Sequence, residues 1–212
     1  MFRNRVDAGR HLALVVRAAG LAGGRTVVLG LPRGGVPVAA EVSVALGAPL
    51  DVIVVRKLGV PFQPELAMGA IGEDGVRVEN DEIVGSSGVS PGDLEAIEQR
   101  ERDELTRRAQ RYREGRPRLD LQGRRAVIVD DGIATGSTAR AACRVAHALG
   151  ASRMVLAVPV APKATVVALQ GVCDDVLCVA QPDPFSAVGE FYGDFSPTTD
   201  DEVTELLRRA QS

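Results

Sequence analysis

The feature that most constrains the fold of this chain is a set of short runs that are apolar at almost every position. A strand covered on one face alternates apolar and polar side chains, whereas a strand covered on both faces is apolar throughout. We therefore interpret these runs as strands buried inside a sheet. They are TVVLGL (26–31), DVIVV (51–55), RAVIVD (125–130), MVLAVPV (154–160) and VLCVA (176–180).

Helical patterns separate these runs at residues 36–46, 137–149 and 163–170. Strand, helix and strand in repeated order predict an α/β fold, with a five-stranded parallel sheet and right-handed crossovers that place helices on both of its faces. In such sheets ligands bind beyond the carboxyl ends of the strands. Candidate functional residues are therefore those that follow the predicted strands.

Two regions interrupt this alternation. Residues 59–80 are rich in Gly and Pro and predict a short hairpin, with arms at 67–71 and 76–78 and a turn at 73–75. Residues 91–114 predict a highly charged helix with an apolar edge of Leu94, Ile97, Leu105 and Tyr112. This helix could be a solvated element with ion pairs between successive turns, or it could support an oligomer contact or a lid.

The length of 212 residues is typical of a single domain. We expect a core at about residues 25–180, a small hood made from residues 1–24 and 181–212, and a charged helical insertion at about 91–115. Three cysteines without CxxC spacing argue against a zinc site or a disulfide framework, so we expect buried thiols.

The composition also excludes several classes of function. A net charge of −3 does not suggest nucleic-acid binding. No apolar run approaches the roughly 20 residues that span a bilayer, and the first residues lack the apolar core of a secretory signal. We expect a cytoplasmic protein that binds neither membranes nor nucleic acid.

The segment VIVDDGIATGSTA (127–139) carries the clearest chemistry. Gly132 and Gly136 relax the backbone between a strand and a helix, and the amide groups at a helix start favour a phosphate. Thr135, Ser137 and Thr138 add hydroxyl groups there, where Ser and Thr also commonly cap a helix.

Asp130 and Asp131 precede this loop by one turn. Carboxylates accept hydrogen bonds from vicinal diols and attract divalent metal ions. A diol site beside a phosphate site indicates a ribose 5-phosphate, although an acidic pair can also merely cap an ordinary strand-to-helix loop. The spacings of GxxxxGK[ST], GxGxxG and DxD motifs are absent.

VIVDDGIATGSTA resembles the phosphoribosyl-diphosphate (PRPP) motif of type I phosphoribosyltransferases. The whole chain also resembles an uncharacterised bacterial branch of predicted phosphoribosyltransferases through LPRGGV, VVRKLG, PELAMGAI and FSAVGEFYGDF. The resemblance implies the Rossmann-like type I phosphoribosyltransferase fold. It assigns the 5-phosphate of PRPP to residues Ala134, Thr135, Gly136, Ser137 and Thr138.

The same resemblance implies a diphosphate site. LPRGGV matches the family's diphosphate loop, which suggests that Pro32, Arg33, Gly34 and Gly35 contact the diphosphate and that the Pro32–Arg33 peptide is cis. Arg56 and Lys57 match basic residues that end the second core strand and face the diphosphate. Adjacent side chains on a strand point to opposite faces, so only one of the two can enter the site. Lys57 is the better candidate, because the chain has only one other lysine, Lys163.

The implied reaction breaks the C1–O bond of PRPP through an oxocarbenium-like state, with Mg²⁺ on the diphosphate. Asp130 and Asp131 would hold the ribose hydroxyls and Mg²⁺, directly or through water. Residues 59–80 match the family's mobile loop, which contains Glu65 as a candidate catalytic acid, with Glu73 as another. Hypoxanthine-guanine enzymes carry an acid at the position of Ala134, so activity on 6-oxopurines is less expected here.

The sequence indicates the residues that would bind the acceptor less clearly. Lys163 resembles a lysine that contacts a purine carbonyl in xanthine-guanine enzymes, but it could equally be a surface charge. Phe191 and Tyr192 could stack on a heterocycle or form a small core over the sheet.

The leading interpretation is a Mg²⁺-dependent transferase, expected as a homo-oligomer, most simply a dimer, that passes a phosphoribosyl group from PRPP to a small-molecule nitrogen acceptor such as a nucleobase. The alternatives are a non-catalytic sensor of PRPP or nucleotides, and a hydrolase or phosphorylase of a phosphoribosyl compound.

Overall fold

The computed structural model describes residues 1–210, except for the side chains of Pro64, Glu65 and Pro91. Its centre is a sheet of the five strands β1 (Thr26–Gly30), β2 (Leu50–Val52), β6 (Arg125–Val129), β7 (Arg153–Val160) and β8 (Asp175–Ala180). The sheet is fully parallel, with the strand order β2-β1-β6-β7-β8. The apolar runs therefore form a parallel sheet, as predicted.

Helices cover both faces of this sheet. On one face α1 (Arg5–Ala18) and α2 (Gly35–Leu46) pack against alternate strand residues such as Val28 and Val127. On the other face α5 (Ser137–Ala148) and α6 (Lys163–Leu169) pack against the intervening residues, such as Ile128. The two apolar cores explain why the strands are apolar at almost every position within the sheet.

A separate antiparallel sheet contains β3 (Val55–Val60), β4 (Gln63–Gly72) and β5 (Arg77–Glu79). The predicted hairpin is confirmed, because β4 and β5 pair on either side of a turn in which Val76 N–H donates to Glu73 O (3.1 Å). The expected strand at 51–55 was wrong in its extent. It ends at Val52, and Val55 begins β3, so Arg56 and Lys57 lie in the antiparallel sheet rather than at the end of a core strand.

The charged segment predicted at 91–114 forms α4 (Pro91–Arg113), and a short helix that was not predicted, α3 (Asp81–Ser86), precedes it. Helix α7 (Asp200–Arg209) packs on α4. Ion pairs between turns of α4 are present, such as Glu98–Arg102 and Glu104–Arg108. The helix is not solvated all round, because three residues of its apolar edge are buried in the core and the fourth packs against it. These are Leu94, Leu105, Tyr112 and Ile97.

The two segments expected to form a hood meet at the edge of the sheet. Phe2 N–H donates to Phe191 O (2.8 Å), and Gly193 N–H donates to Phe2 O (2.8 Å). The C-terminal segment that contributes Phe191 and Gly193 contains a short 3₁₀ helix (Val188–Phe191). Helix α1 itself lies on the main sheet, so only the first residues of the N-terminal segment join the tail.

The cysteine prediction was wrong for two of the three residues. Cys143 on α5 and Cys173 after α6 form a disulfide across a separation of 30 residues, while Cys178 is a free thiol. The sequence could not show this pair, because α5 and α6 come together only through the crossover. Among the described residues, no helix has the length and apolar character needed to cross a membrane.

Candidate functional site

The candidate site lies where the strand order of the main sheet changes direction. The chain passes from β1 to β2 on one side of β1, and it later returns as β6 on the other side. The loops that follow β1 and β6 therefore leave the same sheet edge side by side, with Gly30 paired to Val129 at the strand ends. Such a point is where parallel α/β sheets hold their ligands.

These two loops touch each other closely, and two glycines make this possible. A Cβ atom at Gly34 would lie 2.0 Å from Asp131 Oδ2, and one at Gly35 would lie 2.6 Å from Val129 O. Any side chain at Gly34 would have to displace the Asp131 carboxylate. The PRGG segment and the acidic pair thus form one site, and the Pro32–Arg33 peptide at its edge is cis, as the family resemblance suggested.

The β6–α5 loop has the geometry of an anion site. Gly136 has a left-handed backbone (φ 78°) and occupies the position before Ser137, the first residue of α5. Within the described residues no side chain caps this helix start, so the expected capping by Ser137 and Thr138 was wrong. The Thr135 and Ser137 hydroxyl oxygens lie 3.3 Å apart, and Thr165 Oγ1 on α6 donates to Ala134 O (2.7 Å). The amides of the first turn of α5 and the nearby hydroxyls can therefore donate hydrogen bonds to a phosphate.

Asp130 and Asp131 are partly buried neighbours at the carboxyl end of β6. Burial first, and the adjacent Asp131 charge second, raise the pKa of Asp130 well above its usual value. Burial also raises the pKa of Asp131, although Arg5 opposes this rise. Two like charges in a poorly solvated place favour a cation or hydroxyl donors as partners. This pattern is typical of a functional site.

Arg5 on α1 is a site residue that the sequence did not reveal. Its Nε donates to Asp131 Oδ2 (2.8 Å), its Nη1 donates to Ser196 O (2.7 Å), and its guanidinium lies 4.1 Å from the centre of the Phe195 ring. Arg5 and Asp131 are separated by 126 positions, and no local pattern marks the pair. Arg5 fixes one carboxylate of the acidic pair and leaves Asp130 without a cation of its own among the described residues.

The aromatic residues of the C-terminal segment form a small core and also support the acidic pair. Phe2, Tyr192 and Val160 form a small buried cluster, and Phe191 stacks on Phe185 with ring centres 5.3 Å apart. The Tyr192 hydroxyl donates to the backbone oxygen of Asp131. Burial, followed by the charge of Asp131, raises the pKa of Tyr192, so its hydroxyl remains a proton donor.

The basic residues expected at the diphosphate point in different directions. Arg56 Nε donates to Glu101 on α4 (2.5 Å), so it faces that helix. Lys57 belongs to the opposite face of β3, the face on which Val55 packs against the core beneath α5. The Arg33 guanidinium is half exposed and lies 3.8 Å from Asp200 at the start of α7.

The three remaining candidates from the sequence are Glu73, Glu65 and Lys163. Glu73 is held by Arg113 in a buried ion network, which removes it as a free acid. Glu65 lies on β4, but its side chain is outside the described part of the structure. Lys163 is exposed at the first turn of α6, close in sequence to Thr165, which contacts the β6–α5 loop.

Comparison with known proteins gives consistent matches over nearly the whole chain. A family model described as "Phosphoribosyl transferase domain" matches residues 2–194. Two curated relatives from Mycobacterium tuberculosis strains CDC 1551 and H37Rv, each named "Putative phosphoribosyl transferase", are 59% identical over 210 residues. That alignment covers 99% of this chain and 47% of each relative, so the chain spans about half their length.

A solved structure shares the fold closely. The crystal structure of TT1426 from Thermus thermophilus superposes with a TM-score of 0.90 at 44% sequence identity, covering 98% of both chains. The sheet order, the antiparallel sheet and the charged helix thus belong to a fold that a natural relative adopts along its full length.

Proposed function

Because this chain belongs to the phosphoribosyltransferase family, we propose that it transfers a phosphoribosyl group from PRPP to a nitrogen acceptor and releases diphosphate. The observation that carries this proposal is the contact between the PRGG loop and the acidic pair, beside the anion loop of α5. A ligand bound there would contact the anion site, the two carboxylates and the PRGG loop at the same time. PRPP has a phosphate, a diol and a diphosphate in a matching order.

The residues of the β6–α5 loop would bind the 5-phosphate. Amide groups at residues 134–138 and the hydroxyls of Thr135, Ser137 and Thr138 supply the donors. Asp130 and Asp131 would accept hydrogen bonds from the ribose hydroxyls, and their negative charge would stabilise the positive charge that develops on the sugar. Residues 32–35 would place backbone amides against the diphosphate, and Lys57 would neutralise part of its charge.

The acidic pair also fits a divalent cation. Mg²⁺ is usually held by one or two carboxylates, with the rest of its shell supplied by water and phosphates. No cluster of three or more His, Cys, Asp and Glu side chains that could hold a metal ion occurs in the described residues, so at this place the protein would supply the two carboxylates of Asp130 and Asp131. When bound there with PRPP, Mg²⁺ would neutralise diphosphate charge.

The proposed transfer balances without a further reactant. The C1–O bond breaks and its electron pair leaves with the diphosphate, while a nitrogen lone pair of the acceptor forms the C1–N bond. The acceptor nitrogen then passes its proton to the departing diphosphate or to water. The role of this chain in the reaction would be to align PRPP with the acceptor and to exclude water. Alignment and electrostatic stabilisation supply most of the rate enhancement in enzymes that act on charged leaving groups.

The test is release of diphosphate from PRPP in Mg²⁺ against a panel of nucleobases, with PRPP binding measured alongside. Release that depends on one base would support the transferase and identify its acceptor. Release without any base would favour hydrolysis. Tight PRPP binding without turnover for any acceptor would favour a sensor, and the absence of PRPP binding would contradict the whole proposal.

A further inference from the structure

A second cavity lies on the other side of the PRGG loop from the acidic pair. Its volume is about 490 Å³, which is in the range of small-molecule pockets. Its lining contains neither carboxylate of the acidic pair and no residue of the β6–α5 loop, and it shares Pro32 and Arg33 with the PRGG loop. The lining residues are Pro32, Arg33, Arg107, Arg108, Tyr112 and Asp200.

The opposite directions of Gly34 and Arg33 separate the two sites. The Cβ direction of Gly34 meets Asp131, whereas the side chain of Arg33 extends towards Asp200 at the start of α7. The ion pair between Arg33 and Asp200 is 3.8 Å long, beyond hydrogen-bonding distance. The Arg33 guanidinium is therefore oriented into the cavity without a tight partner there.

The acids near the cavity are already engaged by other groups. Asp200 accepts a hydrogen bond from the Tyr112 hydroxyl (3.0 Å) and pairs with Arg111 (3.0 Å). Glu104 lies behind the arginines and binds both Arg107 and Arg108. The lining itself contains three arginines and one carboxylate, which gives it a formal charge of +2.

The arginines keep donors for a ligand. Glu104 uses Nε and Nη2 of Arg107 and only Nε of Arg108. A guanidinium has five N–H groups in a planar fork that suits phosphate oxygens. Tyr112 is 1% exposed, so the cavity offers its ring no surface for stacking on a base. These features favour the phosphate groups of a ligand over an aromatic portion.

We propose that this cavity is a binding site for a second phosphoanion, a compact di- or triphosphate group, separate from the PRPP site. Arg107 and Arg108 of α4 would hold it, and Arg33 would connect it to the loop that faces the acidic pair. The proposal does not depend on the transfer reaction, because it rests on Arg107 and Arg108, which the proposed reaction does not use, and on the side chain of Arg33 rather than its backbone amide.

Calorimetric titration of the full chain with inorganic triphosphate, in the absence of Mg²⁺, tests this site. The double variant Arg107→Gln/Arg108→Gln should bind it about tenfold or more weakly, since charge-assisted hydrogen bonds are lost. Arg102→Gln, on the same helix and also paired to a glutamate, is the matched control and should bind as the parent does. Equal affinity of the double variant and the parent would overturn the proposal.

A second variant distinguishes binding from damage to the helix. Glu104→Gln removes the carboxylate that competes for both arginines, so it should bind triphosphate more tightly, whereas a merely destabilised helix would not. Weaker or unchanged binding by Glu104→Gln would contradict the site.

PRPP titration of the double variant decides which ligand the arginines serve. Unchanged PRPP affinity supports a separate site, and a loss as large as that for triphosphate would show that the arginines bind the substrate instead. A nucleoside triphosphate that binds as tightly as inorganic triphosphate would identify a nucleotide tail as a ligand source. A nucleoside triphosphate that fails to bind would restrict the site to free phosphoanions.

Discussion

Two groups of acidic side chains differ in their surroundings: Asp51 on β2 with Glu73 in the β4–β5 turn, and Asp130 with Asp131 after β6. Asp51 on β2 and Glu73 share Arg113, whose side chain is 6% exposed and donates to Asp51 Oδ1 (2.7 Å) and Glu73 Oε2 (3.0 Å). Asp51 also accepts from the Leu119 amide (2.9 Å). By contrast, Asp130 and Asp131 face each other with Arg5 bound to Asp131 only.

The difference distinguishes carboxylates that stabilise the fold, Asp51 and Glu73, from carboxylates that are available to a ligand, Asp130 and Asp131. A buried carboxylate with a cation and several donors is satisfied by the protein itself. Asp130 accepts one backbone hydrogen bond, from the Asp131 amide (2.9 Å), and the pKa of its carboxyl is raised by burial and by the Asp131 charge, so its carboxylate would gain from a bound cation or hydroxyl donor. Arg113 therefore fixes α4 and the β4–β5 turn to the sheet, whereas the acidic pair is the pair that we propose binds the sugar or a cation.

The largest effect that this comparison predicts is on turnover. The double variant Asp130→Asn/Asp131→Asn should lose about 10²- to 10⁴-fold in diphosphate release, because charged hydrogen bonds contribute about 1.5–3 kcal/mol each. The measurement is the steady-state rate with PRPP, Mg²⁺ and the acceptor found by the panel. A double variant that retains the parent rate would place the chemistry elsewhere.

The next effect is on stability at the satisfied acids. Arg113→Met should lower the free energy of unfolding by about 3–5 kcal/mol, because it leaves Asp51 and Glu73 buried without their cation. Urea denaturation measures the change. Arg118→Met is the control, since Arg118 pairs with the exposed Asp74 and should change the free energy of unfolding by less than about 1 kcal/mol. Equal losses in the two variants would remove the distinction between the networks.

A third prediction concerns the contact between the two loops. Gly34→Ala places a methyl group against the Asp131 carboxylate and should cost about 1–3 kcal/mol of stability while it weakens PRPP binding. Gly85→Ala adds the same methyl group in open space on α3 and should leave PRPP affinity unchanged. Full PRPP affinity in Gly34→Ala would mean that the position of the Asp131 carboxylate does not matter for the ligand.

The smallest effect is a gain in stability. Because the pKa of Asp130 is raised in the folded state, its contribution to stability is fully present below the unfolded pKa and is lost as pH rises through the folded pKa. Asp130→Asn removes the cost of the buried charge, so the metal-free variant should have a higher Tm than the parent at pH 8. The gap should close as pH falls below about 4. Thermal melts in a chelator, at a series of pH values, check the sign.

The sequence predicted the parts of this site that follow from local geometry. An apolar run followed by Asp130, Asp131 and two glycines places a strand end, a tight loop and a helix start in fixed order, and the structure has them so. Contacts across the fold were not predictable in this way. Arg5 comes from the first helix, and Arg113 lies in a helix whose charged pattern conceals a buried face.

The division of 51–55 between two sheets was missed for a related reason. An apolar run indicates burial but not the partner that buries it, so a short core strand and the start of β3 look alike in sequence. The disulfide between Cys143 and Cys173 depends likewise on the approach of α5 and α6.

The most direct test of the proposed role of the acidic pair is calorimetric titration of PRPP, with Mg²⁺, into the parent chain and into Asp131→Asn. We expect binding to the parent and an affinity about tenfold or more weaker for the variant, because it lacks a carboxylate proposed to contact the ribose and the cation. Equal affinity for both chains, or no binding of PRPP to the parent, would contradict the assignment of the acidic pair to the sugar.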